Sequence, residues 1–147
     1  MAYKNVSSTY KETTIKTAGQ GQLIVMLYDE AVKQLTKAVE LLDLNNKDKK
    51  DPGRIEQISK AVMKTEEILT ELMVSLDFEQ GGEISKNLFS LYTWFNRELL
   101  EANINKDIQR MLTVKNMLSD LRNTWTQIAS HNAENFNREA VGLNIAG

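Results

Sequence analysis

The stretch Gly19–Leu42, GQGQLIVMLYDEAVKQLTKAVELL, decides the fold. GQGQ could open a phosphate-binding loop, and LIVML alone could be a buried strand. Beyond that run, Ile24, Leu27, Tyr28, Ala31, Leu35, Ala38 and Leu42 recur at three and four residues, far past a strand's usual length. The segment is therefore an amphipathic helix reaching Leu44. GQGQ lacks the third glycine of a dinucleotide fingerprint and the Lys-Ser/Thr of a P-loop, and it follows no predicted strand. It is a helix entry, in which Gly19 is an acceptable N-cap and Gly21 a poor early-helix residue.

The pattern repeats along the chain. NNKDKKDPG interrupts it, and within it Asp51-Pro52 is a restart signal: the carboxylate accepts from free N–H groups while proline occupies the first turn. A second helix carries Ile55, Ile58, Val62, Leu69, Leu72, Met73 and Leu76. It ends before Asp77 and the flexible pair Gly81-Gly82. A third starts near Glu83 with Ile84, Leu88, Leu91, Tyr92, Phe95, Leu99 and Ala102. NINKD is a tight turn, with Asn105 or Asp107 as cap. A fourth helix holds Ile108, Met111, Val114, Leu118, Leu121, Trp125 and Ile128. Short connections make neighbours antiparallel, so the expected fold is all-α: an up-down bundle of four long helices. The bundle spans 19–129. Residues 1–18, polar with isolated apolar points, form an N-terminal arm, and the falling apolar density of 130–147 predicts a frayed, flexible tail.

Composition narrows the function. The 147 residues are 41% hydrophobic and 26% charged, as expected for one soluble domain. A net charge of −2 offers no basic footprint for nucleic acid. The absence of cysteine excludes disulfides, thiolate metal sites and cysteine nucleophiles. No segment has the length of a membrane span. The N-terminal MAYKNVSSTYKETTIK lacks the apolar core of a signal peptide, so a cytoplasmic location is expected. The single histidine, His131, lies beyond the fourth stripe, with nothing to orient it as a base and no Glu-x-x-His pair to make a di-iron site. Glu66, Glu67 and Glu71 fit a solvated helix face, and no acid has an apolar setting that would raise its pKa. No catalytic, cofactor-binding or metal site is expected. The chain is a binder rather than an enzyme.

The apolar inventory exceeds one stripe per helix. Phe89, Trp94 and Leu100 stand off the main stripe of the third helix, and Val25, Met26, Val32 and Val39 extend that of the first. Such a surface must be covered. A wide stripe in a tight bundle and a groove for a partner segment both satisfy that demand.

LIVMLYDEAVKQLTKAVELL, LMVSLDFEQGGEISKNLFSLYTWFNRELLEANINKD and MLSDLRNTWTQI, taken in order over approximately residues 3–128, resemble the FliS family of flagellin export chaperones. The series LYD, SLD-x-x-x-GGEI, NL-x-x-LY and L-x-x-AN carries the resemblance. GQGQ departs from the family's usual Ser-Pro-Glu-Gln, which implies a softer helix start. Asp29-Glu30-Ala31 replaces the family's Asp-Gly-Ala. The resemblance implies a cytosolic bundle that binds the disordered C-terminal segment of flagellin. Such binding would prevent premature polymerisation and assist delivery to the flagellar type III export apparatus, which stands with regulatory proteins as a further partner. Rival readings are an adaptor for another helical protein, such as an anti-sigma factor or a secretion component, and a self-associating structural bundle.

The partner surface is expected at Leu23, Leu27, Tyr28 and Ala31 of the first helix. Leu88, Leu91, Tyr92, Leu99 and Asn103 of the third stand opposite, and Leu121 and Trp125 of the fourth complete a wall. Asn87, Asn103 and Gln109 are candidate hydrogen-bond donors to a guest's main chain. Tyr10 and Ile15 of the arm would fold back as a cap over the empty groove.

Overall fold

A computed structural model describes the backbone of residues 20–48 and 51–146, and the side chains of 21–48 and 51–131. The arm, with Tyr10 and Ile15, lies outside the described residues. Within them the chain forms four helices and no strand: α1 (Gln20–Lys47), α2 (Pro52–Val74), α3 (Phe78–Asn105) and α4 (Ile108–Ala146). The all-α bundle expected from the spacing is what the chain forms.

Each helix buries the stripe its spacing defines. On α1, Tyr28, Ala31, Leu35, Ala38 and Leu42 are fully buried. Asn45 extends the same stripe, and its Oδ1 accepts from the Asp51 amide at 3.2 Å, tying the end of α1 to the start of α2. Asp51 caps α2 as the sequence predicts, its Oδ1 accepting from the Gly53 amide at 2.9 Å with Pro52 in the first turn. Ile58, Val62, Leu69 and Leu72 carry α2 into the core, and the buried Thr65 hydroxyl donates to the Ala61 carbonyl at 2.9 Å.

The entry to α3 differs from expectation. Asp77 already caps a first turn, accepting from the Glu79 and Gln80 amides, and the helical path breaks only at Gly82 (φ 50°, ψ −124°). Positive φ suits glycine there. Gly81 serves another purpose: a Cβ on it would fall 1.8 Å from Ser85 Oγ, and that buried hydroxyl donates to the Asp77 carbonyl at 2.9 Å. Of the two candidate caps in NINKD, Asp107 acts, accepting from the Gln109 and Arg110 amides, while Lys106 reverses the chain in the left-handed region (φ 51°).

The backbone of the fourth helix continues past the expected bundle boundary at 129 to Ala146, each residue of the proline-free extension adding a hydrogen bond without a new nucleus. At 39 residues it outruns the 28 of α1 and α3.

Contacts follow a ring, α1 against α2 and α4, and α3 against α2 and α4. The α1 contacts are the more extensive, so the seams beside α3 are thinner. Gly21 acquires a role at the α1–α4 seam, where a Cβ on it would sit 3.2 Å from Ala129 Cβ. The glycine that weakens the helix entry permits close approach of α4 at its far end. Nearby, Arg122 pairs with Asp29 at 3.6 Å. Across the core, the hydroxyls of Tyr28 and Tyr92 bond at 2.6 Å, joining α1 to α3.

Candidate guest-binding surface

The residues expected to line a partner groove divide by burial. Tyr28, Ala31, Tyr92 and Leu99 are at most 1% exposed and Leu23 is also buried, so in this structure they offer no surface to a guest. Tyr28, Ala31, Tyr92 and Leu99 belong to the continuous buried core, whereas Leu23 is buried outside it. Leu27, Leu88, Leu91, Leu121 and Trp125 are half-buried and pack onto that core. These five retain accessible edges. Asn103 is half-buried but occupied, its Oδ1 accepting from Lys106 Nζ at 2.5 Å and Ser59 Oγ at 3.2 Å. Asn87 is exposed, and Gln109 lines a small pocket between α3 and α4 with Trp94, Glu98, Arg110 and Thr113.

Tyr28 and Tyr92 come from the two LY motifs, and their environment is that of core. Burial pushes the Tyr28 phenol far above its ordinary range, with Tyr92 adding to the effect. Burial likewise raises Tyr92, so both remain neutral and hydrogen-bonded.

The surplus apolar surface lies chiefly elsewhere. Among the described residues, Met63, Val74, Phe78, Ile84, Phe89, Leu100 and Ile104 are the exposed large apolar side chains of α2 and α3, against Met26 and Leu44 on α1 and Ile128 on α4. Met63 and Leu100 face one another across an open groove of about 480 Å³, whose remaining lining is Glu66, Glu67, Thr70, Asn96 and Arg97. The Ser59–Asn103 bond fixes the antiparallel register of α2 on α3. In that register Val74 on α2 and Phe89 on α3 extend the two walls about 16 Å from Met63 and Leu100, eleven residues at 1.5 Å each. Phe89 packs edge-on against Phe78 with ring centroids 6.0 Å apart. The seam is thus apolar at both ends and polar in the middle.

That middle corrects the solvated-face expectation for the α2 acids. Glu71 is buried, and Glu66 is half-buried, its carboxyl pushed up by loss of solvent. Glu67 is exposed and lies 3.9 Å from Lys64. On the opposite wall the Asn96 Oδ1 is buried and receives no hydrogen bond. Met63, Glu66 and Asn96 were missed as a group because each wall alone resembles an ordinary stripe edge. The available signal was Asn96 itself, an amide one turn from both Tyr92 and Leu99.

Among the described residues no group of three or more His, Asp or Glu side chains is placed to hold a metal ion, and no helix is long and apolar enough to cross a membrane.

Comparison with known proteins gives one consistent result. The family model described as flagellar protein FliS matches residues 2–132. The chain is 37% identical over 129 residues to the flagellar secretion chaperone FliS of Salmonella typhimurium, covering 87% of each chain. It is 31% identical over 116 residues to that of Escherichia coli, covering 79% of this chain and 80% of the relative. The Bacillus subtilis protein of the same name is 27% identical over 127 residues, covering 86% and 88%.

Proposed function

This chain belongs to the FliS family, and from that premise we propose that it is a flagellar export chaperone that holds the disordered C-terminal segment of flagellin in the cytoplasm. In this reading it blocks premature polymerisation and presents its client to the flagellar type III export apparatus. The chemistry needed is binding alone, without catalysis or cofactor.

The observation that carries the reading is the concentration of exposed apolar side chains along α2 and α3, where the bundle leaves an open groove. A long disordered client could cover this seam and the half-buried edges of Leu27, Leu88, Leu91, Leu121 and Trp125 at once. Coupled folding of such a client buries about 1,000–3,000 Å² and spends roughly 2–5 kcal/mol on ordering it, which keeps the complex releasable. The arm residues Tyr10 and Ile15 would cover apolar surface before the client arrives, and the client would displace them.

The test is calorimetric titration of the full chain with a peptide copying about 40 C-terminal residues of the cognate flagellin, with circular dichroism in parallel. One-to-one binding with a gain in helicity is expected. Absence of both heat and induced helix would overturn the assignment.

A further inference from the structure

We propose that the α2–α3 groove selects a helical guest segment carrying a lysine or arginine between two apolar anchors, with Glu66 and Asn96 as its specificity-determining residues. The proposal deepens the chaperone reading and rests on it for the identity of the natural guest.

Three observations converge. First, two acceptors in the groove's polar centre have no donor bonded to them. Asn96 Oδ1 is buried with no hydrogen bond, and Glu66 is half-buried and forms no ion pair among the described residues. A buried acceptor left open and a carboxylate removed from water both cost free energy, and a guest cation or N–H donor would relieve both. Loss of solvent already pushes the Glu66 carboxyl up, as expected for an acid without a compensating cation.

Second, the charges differ between the walls. Glu66 stands on α2 beside Glu67, whose charge Lys64 partly offsets at 3.9 Å, whereas Arg97 stands exposed on α3. A guest cation is therefore drawn toward Glu66 and the Asn96 oxygen and away from Arg97, which gives the groove a preferred guest orientation.

Third, the acceptor supply fixes the guest's conformation. An extended segment would bring an N–H and a C=O at nearly every residue, each needing a partner once dried. The groove offers too few groups for that. A helix satisfies its own backbone and needs partners only for side chains, and it matches the apolar ends of the seam with anchors at i and i+11.

The experiment uses the full chain and capped alanine-based helical peptides with leucines at i, i+4, i+7 and i+11, carrying Lys, norleucine or Glu at i+3. The wild type should bind the Lys probe at least about tenfold more tightly than the norleucine probe, with the Glu probe weakest. Glu66→Gln should erase most of the Lys preference while still binding norleucine. Asn96→Leu should reduce the preference and raise affinity for norleucine. Leu100→Glu, at an exposed position, should abolish binding of all three probes with the far-UV spectrum unchanged. Equal affinity of Lys and norleucine probes for the wild type, or undiminished binding to Leu100→Glu, would overturn the proposal. The flagellin peptide is titrated separately. If it binds while the probes do not discriminate, the groove inference fails and the chaperone reading stands; discriminating probes with a silent flagellin peptide give the converse.

Discussion

The Tyr28–Tyr92 contact allows a sharp test of how the bundle axis is held. The two hydroxyls bond at 2.6 Å from α1 to α3, with Tyr28 0% and Tyr92 1% exposed. Replacing Tyr28 by phenylalanine keeps the ring and its packing but strands the Tyr92 hydroxyl in a site closed to water, whereas Tyr92→Phe leaves the Tyr28 hydroxyl with Trp125 as its remaining partner. Leaving one buried polar group unpaired costs about 1–3 kcal/mol, whereas removing both partners together can be nearly neutral. Tyr28→Phe should therefore destabilise by roughly 1–2 kcal/mol, lowering Tm by about 2–8 °C for a chain of this size, and Tyr92→Phe by about 1 kcal/mol or less. The double variant should cost no more than Tyr28→Phe alone, giving a coupling energy on the order of 1 kcal/mol. Urea denaturation of the four proteins, with m-values compared to confirm a common unfolding transition, measures the cycle. Additive losses would refute the reasoning, because they would mean that neither hydroxyl depends on the other.

Other substitutions probe separate parts of the molecule. Gly81→Ala should lower stability by about 1 kcal/mol by driving Ser85 Oγ off the Asp77 carbonyl, and Ser85→Ala in the same chain should recover part of the loss in thermal melts. Glu66 has a folded pKa raised above its unfolded value, so its favourable contribution is complete below the unfolded pKa and disappears as pH rises through the raised value. Free Glu66→Gln should match the wild type near pH 3 to 4, roughly at or below the ordinary carboxylate range, and melt higher at pH 7; equal melting temperatures at pH 7 would contradict the half-buried setting. Leu99 and Leu100 are neighbours with opposite exposures, 0% and 52%. Leu99→Ala should cost about 2–5 kcal/mol of stability, whereas Leu100→Ala should leave stability within about 0.5 kcal/mol and weaken the flagellin peptide, as read by chemical denaturation and calorimetry on both variants.

Much of this architecture is written in the chain because helix period and capping chemistry are local. The spacing from Ile24 to Leu42, the Asp51-Pro52 start and the Asp107 cap depend on residues within a few positions of one another, and they appear where the sequence places them. The motif series marks the family for a related reason. LYD and NL-x-x-LY contain the tyrosines that meet across the axis, so they specify the bundle itself.

What the sequence could not decide is which apolar face remains open. Tyr28, Ala31, Tyr92 and Leu99 read equally well as core or groove until the rods are brought together. Packing consumes them and leaves Met63 and Leu100 facing across the α2–α3 seam. The same holds for Gly21 against Ala129 and for the partnerless Asn96 oxygen, since both are defined by atoms contributed from other helices. Periodicity tells each helix which side to bury. Only the mutual placement of four helices decides how much of that side another helix covers, and hence where a guest can bind.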